Sequence, residues 1–254
     1  AAAAAVGSGG RASGRVPWWS VAAAALVAVA ATMLIQPALN PASPPLARRF
    51  EISAPEPLNL VFDPVECAIS PDGRTLAMVL ADSAGTPHLW VRPIDSFKGR
   101  ELPGTSGVTQ PFWSPDSRAL AFSAGNKLKK ITIAGGDPED LCDIRSFRGG
   151  SWSRGGVILF APTSNGPLYR IAAAGGDPQV VTQLDSTRQE TAHRFPRFLP
   201  DGRHYLFSVL GGTTGRYSVQ AGVLGETKRG EILSASSGVE YAPQMQGMFE
   251  RFES

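Results

Sequence analysis

Apolar residues after Phe50 come in short runs that lack a helical rhythm. In Thr75-Leu76-Ala77-Met78-Val79-Leu80 and in Ala119-Leu120-Ala121-Phe122 they dominate successive positions, so both faces of each predicted strand are apolar. Strands of that kind need cover on both sides, as when sheets stack on one another. Each run follows a turn-forming string: SPDGRTLAMV begins at Ser70, SPDSRALAFS at Ser114, SRGGVILFAP at Ser153 and LPDGRHYLFS at Leu199. A second strand-like element trails each one: HLWVRPID from His88, KLKKITIAGGDP from Lys127, PLYRIAAAGGDP from Pro167 and YSVQAGVL from Tyr217. The repeat starts lie 44, 39 and 46 residues apart. A period of about 40 to 45 residues filled by short strands predicts an all-β chain of four-stranded propeller blades.

Turn chemistry supports the same architecture. In Ser70-Pro71-Asp72-Gly73, proline sets φ at the second turn position, the Asp72 carboxylate bonds the backbone just beyond it, and Gly73 accepts a positive φ. Ser114-Pro115-Asp116 repeats the pattern with Ser117 in the glycine's place, which predicts a slightly different closure, and Pro200-Asp201-Gly202 repeats it after Leu199. Ser153-Arg154-Gly155-Gly156 keeps glycine and loses the Pro-Asp pair. Asp72, Asp116 and Asp201 recur because turns need them, and that reading outweighs a pair of catalytic carboxylates. The predicted blades fall near 60–103, 104–142, 143–185 and 190–235, with a partial one from 236.

The first 47 residues follow another rule. Residues 1–15 hold small residues plus Arg11 and Arg15 and read as a flexible linker. No charge then occurs until Arg48, and Trp18 to Ile35 would make a helix of about 27 Å, close to the hydrocarbon thickness of a bilayer. A transmembrane helix is predicted over 16–36, with Pro17 in its first turn, Pro37 ending it, and Trp18 and Trp19 as interfacial anchors. Arg11 and Arg15 on one flank predict a cytoplasmic N-terminus and an extracytoplasmic, periplasmic propeller. A buried Ala-rich helix lacks a second amphipathic helix to cover it, and a cleaved signal peptide lacks a clear small-x-small site. Residues 37–47 form a Pro-rich, extended spacer.

Composition removes further classes. Lys plus Arg number 24 against 22 Asp plus Glu, and a net charge of +2 is too small to expect a nucleic-acid partner. His88, His193 and His204 fall at unrelated repeat phases with no i, i+4 pair, so neither a metal nor a cofactor is expected. Asp137, Glu139, Asp140 and Asp143 lack the alternating ligands and central glycine of a calcium loop and read as a solvated loop between strands. Lys127-Leu128-Lys129-Lys130 reads as a solvated strand edge, and Cys67 and Cys142 as two separate buried thiols. Gly7-Ser8-Gly9 follows no strand, which makes it linker and not a phosphate loop. G-x-S-x-G, V-A-I-K, H-R-D and D-F-G are all missing, and His193-Arg194-Phe195 lacks the Asp and Asn of a kinase catalytic loop. The motifs therefore predict no enzymatic activity for these residues.

The strings SPDGRTLAMV, HLWVRPID, PFWSPDSRALAFSAGNKLKKI, AGGDP, GVILFAP, PLYRI and RFPRFLPDGRHYLFSV resemble TolB-type, WD-like β-propeller repeats. Their order is similar to that of the extracytoplasmic propeller following the transmembrane helix of many bacterial serine/threonine protein kinases. The resemblance covers residues 48 to about 243. It implies a six-bladed ring, of which this chain would supply about four to five blades and so an incomplete ring. It also implies a membrane-tethered sensor that binds a protein or small-molecule ligand at its loops, with a kinase domain upstream. A free-standing, membrane-anchored TolB-like scaffold is the alternative, and the propeller part of an oligopeptidase-like hydrolase ranks third.

Overall fold

A computed structural model describes residues 58–61, 67–211, 217–227 and 229–235. The expected linker, membrane span with Trp18 and Trp19, spacer and partial blade from 236 lie outside these residues. Among the described residues no helix is long and apolar enough to cross a membrane.

The described chain is all-β, apart from a single turn of 3-10 helix at Ser186–Arg188, and folds into four antiparallel sheets. The first holds β1 (Asn59–Leu60), β2 (Cys67–Ile69), β3 (Thr75–Ala81), β4 (Pro87–Pro93) and β5 (Arg100–Glu101). Here β1 and β2 share one edge of β3, Leu60 opposite Leu80 and Ile69 opposite Leu76, so the sheet is four strands wide. The second holds β6 (Val108–Trp113), β7 (Ala119–Ala124), β8 (Lys127–Thr132) and β9 (Glu139–Asp143). The third holds β10 (Gly150–Trp152), β11 (Val157–Phe160), β12 (Tyr169–Ala172) and β13 (Gln179–Val180). The fourth holds β14 (Glu190–Phe198), β15 (His204–Gly211), β16 (Tyr217–Val223) and β17 (Arg229–Ala235). Within each of the last three, strands pair in chain order.

The repeated turns close these sheets through their side chains. Ser70 Oγ donates to Asp72 Oδ1 (2.5 Å) and accepts the Thr75 N–H (2.9 Å), while Asp72 Oδ1 accepts the Arg74 N–H (3.0 Å). Ser114 and Asp116 reproduce the arrangement at 2.6, 2.8 and 3.1 Å. Contrary to expectation, Ser117 keeps the glycine-like closure, with φ 62° where Gly73 has 70°. Its hydroxyl offsets the strain by accepting the Asp72 N–H across 3.1 Å, which ties the first turn to the second.

Each sheet packs on the next, and the apolar residues of the strands divide accordingly. Leu120 and Phe122 of β7 join Val79, Leu89 and Val91 of the first sheet, whereas Ala121 joins Ile158 and Phe160 of the third. Leu159 of β11 faces the fourth sheet, against Tyr205, Phe207 and Val209. Fully burying one such side chain contributes about 1.5–3 kcal/mol, which is why runs apolar on both faces become central strands. Gly150 lets two sheets approach closely: a Cβ there would lie 2.7 Å from the Phe112 ring.

Candidate functional site

The sheets have two ends with different contents. At one end lie the Ser70–Gly73, Ser114–Ser117 and Leu199–Gly202 turns, held by the bonds described above. Asp201 accepts the Arg203 and His204 N–H groups, both at 2.9 Å, and pairs with the exposed His204 ring, which together hold its carboxyl down at about 2. Hydrogen bonds led by Ser70 and Ser114 likewise lower Asp72 and Asp116. Every carboxylate here is engaged with its own turn.

Three readings of polar residues change. Lys127–Thr132 is an interior strand, flanked by β7 and β9, and Glu139–Asp143 is its outer neighbour, not a loop. Cross-strand ion pairs make this possible: Lys127 reaches Asp143 at 2.6 Å, Lys129 reaches Asp140 at 2.7 Å and Lys130 reaches Glu139 at 3.2 Å. Both cysteines are free, but Cys67 is exposed and Cys142 half-buried. Burial pushes the Cys142 thiol up to about 11, the wrong direction for a nucleophile. His88 is half-buried between Asp82 (3.4 Å) and Glu101 (3.0 Å).

The largest departure is His193, which is 0% exposed. The repeats align it with Val108: Gln110-Pro111 and Phe195-Pro196 occupy matching left-handed bulges, with φ 50° and 51°, two residues further on. A polar ring thus fills an apolar core position, and a polar network serves it. Thr182 Oγ1 lies 2.7 Å from Nδ1, and Arg229 Nη1 and Glu190 Oε2 lie 3.0 and 3.2 Å from Nε2. Arg229 can only donate, so Nε2 accepts and the ring proton sits on Nδ1. Arg229 also donates to Glu190 Oε2 (2.7 Å) and Gln220 Oε1 (3.1 Å), and Glu190 Oε2 accepts the Asp185 N–H (2.7 Å). Burial pushes His193 below its usual range, with the Arg229 charge adding to it and the Glu190 contact opposing. Burial alone would raise Glu190, yet the donors from Arg229 and Asp185 hold it low.

Thr182, His193 and Glu190 lie in the order of a nucleophile, base and acid. They do not form one, because all three are buried and Thr182 Oγ1 already accepts the Leu168 N–H at 2.9 Å. The network is a structural joint between the third and fourth sheets. Aligning the repeats residue by residue exposes it, since only there does a histidine replace valine.

The opposite end, where β9 runs to β10 and β11 to β12, carries a cleft of about 240 Å³. Phe160, Tyr169, Pro162, Pro178 and Ile144 supply its apolar lining, and Asp143, Arg145 and Thr163 its polar one. Backbone bonds brace the walls: Arg145 and Ser146 N–H donate to Pro162 O at 2.9 and 3.1 Å, and Arg148 N–H to Ala161 O at 3.0 Å. Exposed loops on a rigid sheet scaffold, with an aromatic hollow and a few polar groups, suit ligand recognition. Among the described residues no group of His, Cys, Asp and Glu is arranged to hold a metal.

No family model matches the chain. Over 142 residues, 55% of this chain, it is 25% identical to the uncharacterized peptidase YuxL of Bacillus subtilis, of which it spans 21%. Its fold resembles that of a putative TolB from Agrobacterium tumefaciens, with TM-score 0.56, 18% identity, and 68% of this chain and 67% of that one covered. It also resembles a puromycin-hydrolyzing peptidase of Mycobacterium tuberculosis, with TM-score 0.51, 13% identity, and 66% and 28% covered. The four sheets therefore share the fold of β-propeller blades, as in the TolB-like neighbour. The peptidase likeness overturns the expectation that the chain has no enzymatic role. That expectation rested on missing motifs, and a chain spanning a fifth of its relative need not carry the motifs of the whole.

Proposed function

We propose that the chain is the peptide-recognising β-propeller module of a peptidase-type hydrolase. The cleft end of the sheets receives substrate, and amide-bond hydrolysis belongs to the part of such proteins that this chain does not span. The likeness to YuxL over 142 residues carries this reading. The aromatic and proline lining of Tyr169, Pro162 and Pro178 gives it a physical basis, since apolar side chains of a peptide lose water there. The test uses the natural protein that contains this chain, treated with a fluorophosphonate probe and fluorogenic peptidyl amides. Covalent labelling with turnover supports the reading. ATP-dependent phosphorylation without peptide turnover would overturn it.

The uncharged stretch Trp18 to Ile35 favours a second reading. In it the propeller is a membrane-tethered, extracytoplasmic module, either the sensor of a serine/threonine kinase or a TolB-like scaffold, binding a protein or small molecule at its loops. Carbonate extraction of membranes and protease accessibility in spheroplasts test the tether. Release by carbonate removes this reading.

A further inference from the structure

We propose that the cleft beside β9 and β10 takes the C-terminal residue of a peptide, its apolar side chain against Tyr169, Pro162 and Pro178 and its carboxylate on Arg145 and the adjoining arginines. This deepens the peptide-recognising reading and rests on it.

The first observation is an imbalance of charge. Arg188, Arg203 and Arg229 each end on a glutamate, at 2.6, 2.8 and 2.7 Å. Among the described residues the guanidiniums of Arg145, Arg148 and Arg194 meet no carboxylate. Arg148 Nη1 donates to the Phe147 carbonyl at 3.1 Å and Arg194 Nε to the Ser164 carbonyl at 3.0 Å, contacts that leave the positive charge uncompensated. Asp143, the acidic group in the lining, is already neutralised by Lys127 at 2.6 Å.

The second observation is that the segments carrying the three arginines are tied to one another. The Phe195 N–H donates to the Arg148 carbonyl at 2.9 Å, which sets Arg194 beside the loop from Arg145 to Arg148. The same loop donates to the carbonyls of Ala161 and Pro162, and Ser164, which receives Arg194, lies two residues beyond. Arg145 thus lines the hollow, and Arg148 and Arg194 sit on the segments that brace it.

Size and position select the ligand. A volume of about 240 Å³ lies below the roughly 300–1,000 Å³ of sites that enclose a whole small molecule and suits a single large side chain. Arg145 itself lines the hollow, so the apolar group that enters and the anion that Arg145 meets belong to one residue. A C-terminal apolar amino acid has that structure. A guanidinium matches a carboxylate in a forked, charge-assisted pair, which gives the site its selectivity.

The experiment measures fluorescence anisotropy with the full 254-residue chain and N-terminally fluorescein-labelled Gly-Ser-Gly-Ala-Phe, as the free acid and as the amide. The free acid is expected to bind about tenfold more tightly than the amide. Arg145→Glu and Arg148→Glu should each cost about tenfold for the acid and little for the amide. Arg118→Glu makes the same charge change at the opposite end and should leave both unchanged, and the milder Arg145→Ala keeps the test valid should a charge reversal disturb folding. Equal binding of acid and amide, indifferent to Arg145 and Arg148, overturns the carboxylate site while peptide recognition stands. An amide with an internal Glu that matches the free acid overturns the terminal assignment. Failure of every peptide to bind overturns this site together with the reading beneath it.

Discussion

Replacing Glu190 by Ala tests whether the polar network holds the third and fourth sheets together. The Glu190 side chain is 3% exposed and receives the Arg229 guanidinium and the Asp185 N–H, both at 2.7 Å. Its other oxygen, Oε1, is buried without a partner among the described residues, so part of the gain is offset by desolvation. Breaking a fully buried ion pair by removing one partner costs about 3–5 kcal/mol. Arg229 is 20% exposed, so water reaches its freed donors and the cost falls to the lower limit, about 3 kcal/mol. For a domain of this size that lowers the melting temperature by about 6–12 °C. Urea and thermal melts followed by circular dichroism at pH 7.5 measure it. A cycle with Arg229→Ala should show a coupling of at least about 1 kcal/mol, the double variant costing less than the two singles combined. A loss below about 0.5 kcal/mol, with additive singles, would refute the joint.

Acid should loosen the same joint. The folded pKa of His193 lies below its unfolded value of about 6.5, so its contribution is complete above that pH and is lost as pH falls through the folded value. Glu190, also lowered, adds a second loss below about 4.3. Stability measured by urea melts should therefore decline from pH 7 to 5, and His193→Gln should flatten that upper portion. A decline of equal size in the variant would assign it to other groups. Ser114→Ala removes a buried hydroxyl serving two hydrogen bonds and should cost about 1–2 kcal/mol in the same melts. Gly150→Ala drives a Cβ into the Phe112 ring and should cost about 1–3 kcal/mol, with Phe112→Leu partly rescuing it.

The sequence by itself determined the local and periodic features. Runs apolar on both faces, separated by turns such as Ser70–Gly73 at a near-constant spacing of short strands, point to four-stranded sheets stacked face to face. Both sides of strands such as Thr75–Ala81 and Ala119–Ala124 need cover, and the described repeats hold no α-helix to supply it. Turn residues are legible for the same reason: the bonds that the Ser70 hydroxyl and the Asp72 carboxylate make within their turn reach no more than five residues along the chain. What only the tertiary structure decided is which polar groups meet across long separations. Lys127 to Lys130 resembled an edge until β9 brought Glu139, Asp140 and Asp143 against them. His193 joins Arg229, 36 residues away, and the cleft draws its walls from loops around Arg145, Thr163 and Pro178. Periodicity records burial at each position, but the charge balance of a site depends on partners that the pairing of distant strands alone supplies.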